Sequence, residues 1–227
     1  MAGRPTVYII ASDQSRNGKT LLARLMADYL LLDGKDPFLI DTDAPEGPLR
    51  AFFPGRTALA DFEKTQGRMK AFDTILAAPG RDYVVDLPQR HVLDFFATVR
   101  ELDFFSAAHE AGFRVIVFFI VDRATPSLRA AKDVYEEKGI DLFVAVKNDF
   151  VGSAWPPGEG ALTLPLLPRD VALAISEKRF SLRNFVLGDD QGLESDQRLT
   201  LNNFMFSVLG SLNSLDTEIS LAALKGD

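Results

Sequence analysis

The 227-residue sequence contains no cysteine. That absence excludes disulfides, zinc–thiolate sites, iron–sulfur clusters and thiol nucleophiles together. Histidine is nearly as scarce: only His91 and His109 occur, neither has a suitably spaced metal or catalytic partner, and surface or capping roles are expected. The single tryptophan, Trp155, precedes Pro156 and Pro157 and reads as loop packing. Long hydrophobic runs are missing too. The longest, Val115 to Val121, has seven residues, against the roughly 18 that a membrane helix needs. The first twelve residues carry no charged-then-apolar leader pattern, so a soluble cytoplasmic chain is expected. Positive charge is also in short supply, with 25 basic against 32 acidic residues and a net charge of -7. Affinity for nucleic acid comes largely from Lys and Arg neutralising phosphates, so direct DNA binding is not expected.

What is present is an ordinary globular composition, 47% hydrophobic and 25% charged, of a length that predicts one domain over 1–227. Short β-branched or aromatic runs alternate with helical periodicity. Strands are expected at Val7 to Ala11, Pro37 to Asp41, Tyr83 to Asp86, Arg114 to Val121 and Leu142 to Val146, with a weaker one at Ala161 to Leu164. Helices are expected from Leu21 to Leu30, Val92 to Ala111, Ser127 to Lys138 and Leu199 to Leu215, with turn-rich breaks at Ser153 to Gly160 and Gly188 to Asp196. Strands apolar on both faces and alternating with helices predict an α/β fold, a mostly parallel central sheet with helices on both faces. Such sheets bind ligands outside the carboxyl ends of their strands.

The sharpest signal is Asn17-Gly18-Lys19-Thr20 between the first strand and the first amphipathic helix. A strand, a tight turn of backbone N–H groups and a helix N-terminus make a phosphate cradle. Lys19 would neutralise the β- and γ-phosphates and the Thr20 hydroxyl would coordinate Mg²⁺. The full signature has a glycine five residues before Gly18, where this chain has Asp13. Asp41 and Asp86 end two apolar strands, which suits metal or water-positioning carboxylates as well as helix caps.

The stretch Ile10 to Leu22, followed by Asp41-Thr42-Asp43-Ala44-Pro45-Glu46-Gly47, resembles the ParA/MinD-type ATPases. Asp82 to Pro88 is similar to that family's second acidic strand, Val144 to Asp149 to the segment whose Asn reads adenine, and Leu164 to Val171 to its late proline-containing loop. The resemblance implies a P-loop NTPase fold of the SIMIBI type and an ATP- and Mg²⁺-dependent switch. It implies ATP hydrolysis, slow or absent where the chain departs from the family, dimerisation on ATP, and action through a partner protein in DNA partitioning, positioning or conjugative transfer. It further implies that Ser15, Arg16, Asn17, Gly18, Lys19, Thr20, Leu21, Asn148 and Pro165 contact the nucleotide. Thr20, Asp41 and Asp86 would serve the metal, Asp41, Arg16 and Lys19 catalysis, and Asp43 would stand behind them.

The chain also departs from the family. Its signature lysine aligns with Gln14 and its two glycines with Ser15 and Arg16. Arg16 is a candidate substitute for that lysine, because guanidinium suits phosphate. Ser12 to Thr20 also resembles the loop of dethiobiotin synthetase. That leaves two further readings: a carboxylate-activating enzyme of the dethiobiotin or cobyrinic acid synthase type, and a scaffold that does not hydrolyse ATP. Leu199 to Leu215 has few basic residues on its polar face, so core packing or a partner is expected rather than a membrane. Among 18 Phe residues, the pair Phe52-Phe53 is a candidate dimer or partner surface and the other pairs are expected in the core.

Overall fold

The computed structural model describes residues 4–156, 161–177 and 180–225; part of the expected loop at 153–160 and the end of the tail lie outside these. Seven strands form one sheet: β1 (Thr6–Ala11), β2 (Phe38–Asp41), β3 (Thr57–Leu59), β4 (Tyr83–Asp86), β5 (Arg114–Ile120), β6 (Leu142–Asn148) and β7 (Ala161–Leu164). Their order is β3-β2-β4-β1-β5-β6-β7, and every pairing is parallel. Period-2 alternation splits each central strand between two cores. Tyr8 and Ile10 of β1 face one side; Val7, Ile9 and Ala11 face the other.

Helix α1 (Lys19–Leu32) covers the first side through Leu22, Leu25, Met26 and Leu30, together with α6 (Arg169–Ser176), α7 (Leu182–Val186) and α8 (Ser195–Lys225). The second side is covered by α2 (Thr65–Leu76), α3 (Val92–Glu101), α4 (Phe104–Glu110) and α5 (Thr125–Tyr135). Helix α8 buries Leu201, Phe204, Met205, Val208 and Leu212, which accounts for its apolar stripe as core packing. No helix among the described residues is long and apolar enough to cross a membrane.

The helix expected over Val92 to Ala111 is two helices. Asp103 breaks it in the left-handed region at φ 49 and accepts a hydrogen bond from Ser106 Oγ at 2.7 Å. The Phe95-Phe96 and Phe104-Phe105 pairs are nine residues apart, about half a turn out of phase on an unbroken helix. The break lets both pairs enter the same core, where Phe72 stacks on Phe104 at 4.2 Å between centroids. Two other expectations change. His91 is buried rather than exposed, and Phe53 is buried with Phe52 packed beside it rather than offered to a partner. Trp155 packs on Phe143 at 5.6 Å, as loop packing requires.

Strand β1 connects leftward in this order through α1, whereas β4 connects rightward through α3 and α4 on the opposite face. Reversal of connection direction opens a crevice outside the carboxyl ends of these strands. The loops that meet there are Ser12–Gly18 after β1, the segment after Asp41, and Leu87–His91 after β4.

Candidate functional site

Ser12 organises the loop after β1. Its buried hydroxyl donates to Ile120 O of β5 at 2.9 Å and accepts from Gln14 N at 3.2 Å and from Asn17 Nδ2. Asn17 is buried and braces the loop: its carbonyl accepts from Asn148 Nδ2 at 2.8 Å. Gly18 has φ +99, and a Cβ there would come within 2.8 Å of Asn148 Nδ2. Glycine is required at that point by both the backbone and the approach of Asn148. Asp13 and Ser15 keep negative φ, which is why side chains are accommodated where the full signature or the family has glycine. Arg16 does not: it sits at φ 56.

Helix α1 starts at Lys19 with no side-chain cap and no acidic residue in its first turn. Its first N–H groups and the positive end of its dipole are therefore left to a ligand. They open on a cavity of about 480 Å³ lined by the loop and first turn of α1 on one side and by Asp43, Asp86 and the Pro88–Arg90 turn on the other. Thr20 Oγ1 donates to Asp86 Oδ2 at 2.8 Å. Burial pushes the Asp86 carboxyl up to about 7, and the Thr20 bond and Lys19 only partly offset it. Lys19 Nζ curls back to Gln14 O at 2.5 Å and Asn17 Oδ1 at 3.4 Å, and burial holds its ammonium below the usual lysine range.

Of the residues singled out in the sequence, Ser15, Arg16, Gly18, Lys19, Thr20, Leu21 and Asp86 line this cavity. Asp41 does not. It is fully buried, and its two oxygens accept from Asp43 N at 3.0 Å and Leu49 N at 2.8 Å, closing the turn that follows β2. The carboxylate of that segment on the cavity wall is Asp43. Sequence reasoning also passed over Arg90, whose guanidinium reaches Asp43 Oδ1 at 3.0 Å and Glu63 Oε1 at 3.7 Å. Asp43 belongs to a motif read in the sequence but was placed behind Asp41; Arg90 was signalled by no motif and matters because β4 ends beside β2.

A second cavity, of about 540 Å³, shares Arg16, Gly18 and Leu21 with the first. It is apolar, walled by Leu164, Pro165, Leu167, Leu173 and Phe204, with Asn148 at its inner edge. Both ends of the Asn148 carboxamide already serve the fold, since its Oδ1 accepts from Phe150 N at 3.0 Å. One Nδ2–H and the remaining carbonyl lone pair are left for a ligand. The sheet thus places a polar, helix-headed cavity beside an apolar one, an arrangement able to take a ligand with one charged and one apolar end.

No protein-family model matches the chain, and no curated protein sequence does. Solved structures do. The septum site-determining protein MinD from Pyrococcus horikoshii, complexed with Mg-ADP, matches at 12% identity and a TM-score of 0.55, over 88% of this chain and 94% of that one. MinD from Aquifex aeolicus matches at 17% identity and a TM-score of 0.49, over 88% and 97%. Chloroplast FtsY from Physcomitrella patens matches at 15% identity and a TM-score of 0.45, over 65% of this chain and 51% of its own, so the chain spans about half the length of FtsY. Identities this low speak of architecture alone, and there the Pyrococcus horikoshii protein carries the comparison: this chain shares the fold of MinD, a parallel sheet with helices on both faces.

Proposed function

We propose that the chain is a nucleotide-dependent switch of the ParA/MinD type, one domain over 1–227, which binds ATP with Mg²⁺ and hydrolyses it slowly. The observation that carries this reading is the convergence of the uncapped N-terminus of α1, Lys19 and the Thr20–Asp86 pair on one cavity, next to an apolar one. In this reading the phosphates lie against the N–H groups from Ser15 to Leu21 and the base lies between Leu21, Pro165 and Asn148. The donor set fits Mg²⁺, which takes one or two protein oxygens and completes its shell with water and phosphate oxygens. Thr20 would hold it directly and Asp86 through water, and the ion would neutralise phosphate charge. A buried carboxyl raised to about 7 and bonded only to a hydroxyl is the kind of group that such an ion relieves. Support also comes from Mg-ADP in the Pyrococcus horikoshii MinD complex.

In this reading Asp41, bound up in its turn, shapes the segment, and Asp43, on the cavity wall, orients the attacking water. Arg16, exposed on the loop, is the residue available to a second subunit's nucleotide in an ATP-dependent homodimer. Output would pass through a protein partner in DNA partitioning, positioning or conjugative transfer, in the cytoplasm.

Titration calorimetry with Mg²⁺ and ATP, GTP or ADP tests the site. Wild type is expected to bind ATP, and Lys19→Ala to lose about a hundredfold in affinity, as for one or two charge-assisted phosphate contacts. Equal affinity in the two proteins removes the phosphate-loop assignment, and a preference for GTP corrects the base. Light scattering on the same samples reads the dimer.

A further inference from the structure

Resting on that nucleotide reading, we propose that Arg90 is the cation that recognises the terminal phosphate, and that Asp43 and Glu63 hold it in place before the triphosphate arrives. The two cavities share Arg16, Gly18 and Leu21, whereas Asp43, Asp86, Gln89 and Arg90 belong to the polar one alone. A nucleotide with its base in the apolar cavity therefore runs its phosphates past Gly18 and Lys19 toward Arg90. Three cations line the polar cavity among the described residues: Arg16, Lys19 and Arg90. Arg16 stands at the junction of the cavities, near the inner phosphates. Lys19 is turned onto its own loop through Gln14 O and Asn17 Oδ1. Arg90 stands on the far wall, on the turn after β4.

The partners of Arg90 make it exchangeable. Its contacts to Asp43 Oδ1 at 3.0 Å and Glu63 Oε1 at 3.7 Å are those of a half-exposed side chain, and ion pairs of that kind are weak. A phosphate carries more charge than either carboxylate and accepts a guanidinium fork in the same planar geometry. Its Nε also lies 3.1 Å from His91 Nε2, which keeps the guanidinium on the cavity side of the turn. Asp43 follows β2, Glu63 follows β3 and Arg90 follows β4, so the pairs tie three loops together at one point. Transfer of Arg90 to a terminal phosphate releases the loops after β2 and β3, and a diphosphate, one group shorter, does not reach it. The switch between triphosphate and diphosphate forms is built into this exchange.

The test compares wild type, Arg90→Ala, Arg90→Lys and Asp43→Asn by calorimetry with Mg²⁺ and either ADP or the non-hydrolysable β,γ-imido analogue of ATP. Arg90→Ala is expected to lose at least about tenfold in affinity for the triphosphate analogue and less than about threefold for ADP. Arg90→Lys, which keeps the charge without the fork, should lie between. Asp43→Asn removes a competitor for Arg90 and should bind the triphosphate at least as tightly as wild type. Equal weakening of both nucleotides by Arg90→Ala, no weakening of either, or a triphosphate loss in Asp43→Asn as large as in Arg90→Ala overturns the proposal and leaves the pair a brace between loops. Should Arg90→Ala fail to fold, the selective triphosphate loss in Arg90→Lys decides alone. Wild type binding neither nucleotide overturns the nucleotide reading itself, and this inference with it.

Discussion

Helix α1 carries two buried cations, and the protein treats them in opposite ways. Arg24 is held from within on all but its Nε, which has no partner: its guanidinium donates to Ile175 O at 2.8 Å and Phe180 O at 3.3 Å and lies 3.6 Å over the Phe52 ring. Its acidic neighbour Asp28 is buried beside it, one turn along. Lys19 has only two oxygens of its own loop, and Asp86 across the cavity has one hydroxyl; no ion pair joins them. Burying charge is costly unless it is paired and hydrogen-bonded. The first site meets that cost with structure and closes off. The second leaves charge facing a cavity, which is the condition for binding an anion and a cation from solution.

The contrast is broken most directly by truncating both cations. Arg24→Ala strips two carbonyls of α6 and the following loop of their donor and leaves Asp28 buried without its main counter-charge. A loss of about 3–5 kcal/mol in urea unfolding is expected. Lys19→Ala should change stability by less than about 1 kcal/mol in either direction, because burial already disfavours its ammonium. Equal losses in the two variants would erase the distinction between a structural and a ligand-facing charge.

A smaller effect sharpens the closed site. Burial pushes Asp28 up to about 7, against the opposing pull of Arg24 and of Arg183. A carboxyl raised in the folded state binds more protons folded than unfolded. Its contribution is therefore full below the unfolded range near pH 4 and is lost as pH climbs through about 7. Unfolding at pH 5 and pH 8 should show wild type losing about 1–3 kcal/mol more than Asp28→Asn over that interval. Parallel pH profiles would mean that the Arg24 guanidinium compensates Asp28 fully.

The central strand Tyr83–Asp86 was legible because it is buried on both faces, and it has the limits read from the sequence, as does the edge strand Ala161–Leu164. Helix α2 was not, because Gly67 and a polar first turn hide its buried Ala71, Phe72 and Ile75. That glycine is demanded from outside the helix, since a Cβ would meet Asp61 O at 1.9 Å. In the site, the proposed phosphate loop showed itself through Gly18-Lys19-Thr20, a local pattern. The division of labour between Asp41 and Asp43 did not, because it depends on Leu49 N returning to Asp41 eight residues on. Ser12 and Arg90 were silent for the same reason: their partners, Ile120 and Asp43, lie on other strands' ends. Motifs announce chemistry that is contiguous in the chain; the sheet assembles the rest.

Arg16 lies between the two kinds of residue and gives the smallest effect. At φ 56 it occupies the left-handed region, where the resemblance places a glycine, and a non-glycine residue there costs about 1–2 kcal/mol. It is exposed and makes no hydrogen bond or ion pair among the described residues, so nothing in the fold recovers that cost. Arg16→Gly should raise stability by up to about 1 kcal/mol, after the entropy of the more flexible unfolded chain is subtracted. Thermal unfolding reads the gain, and steady-state ATP turnover reads its counterpart. A side chain kept at a strained position for phosphate should leave turnover at least about tenfold lower when removed. A variant that is more stable and equally fast would make Arg16 a plain loop residue and leave Arg90 to supply the missing charge by itself.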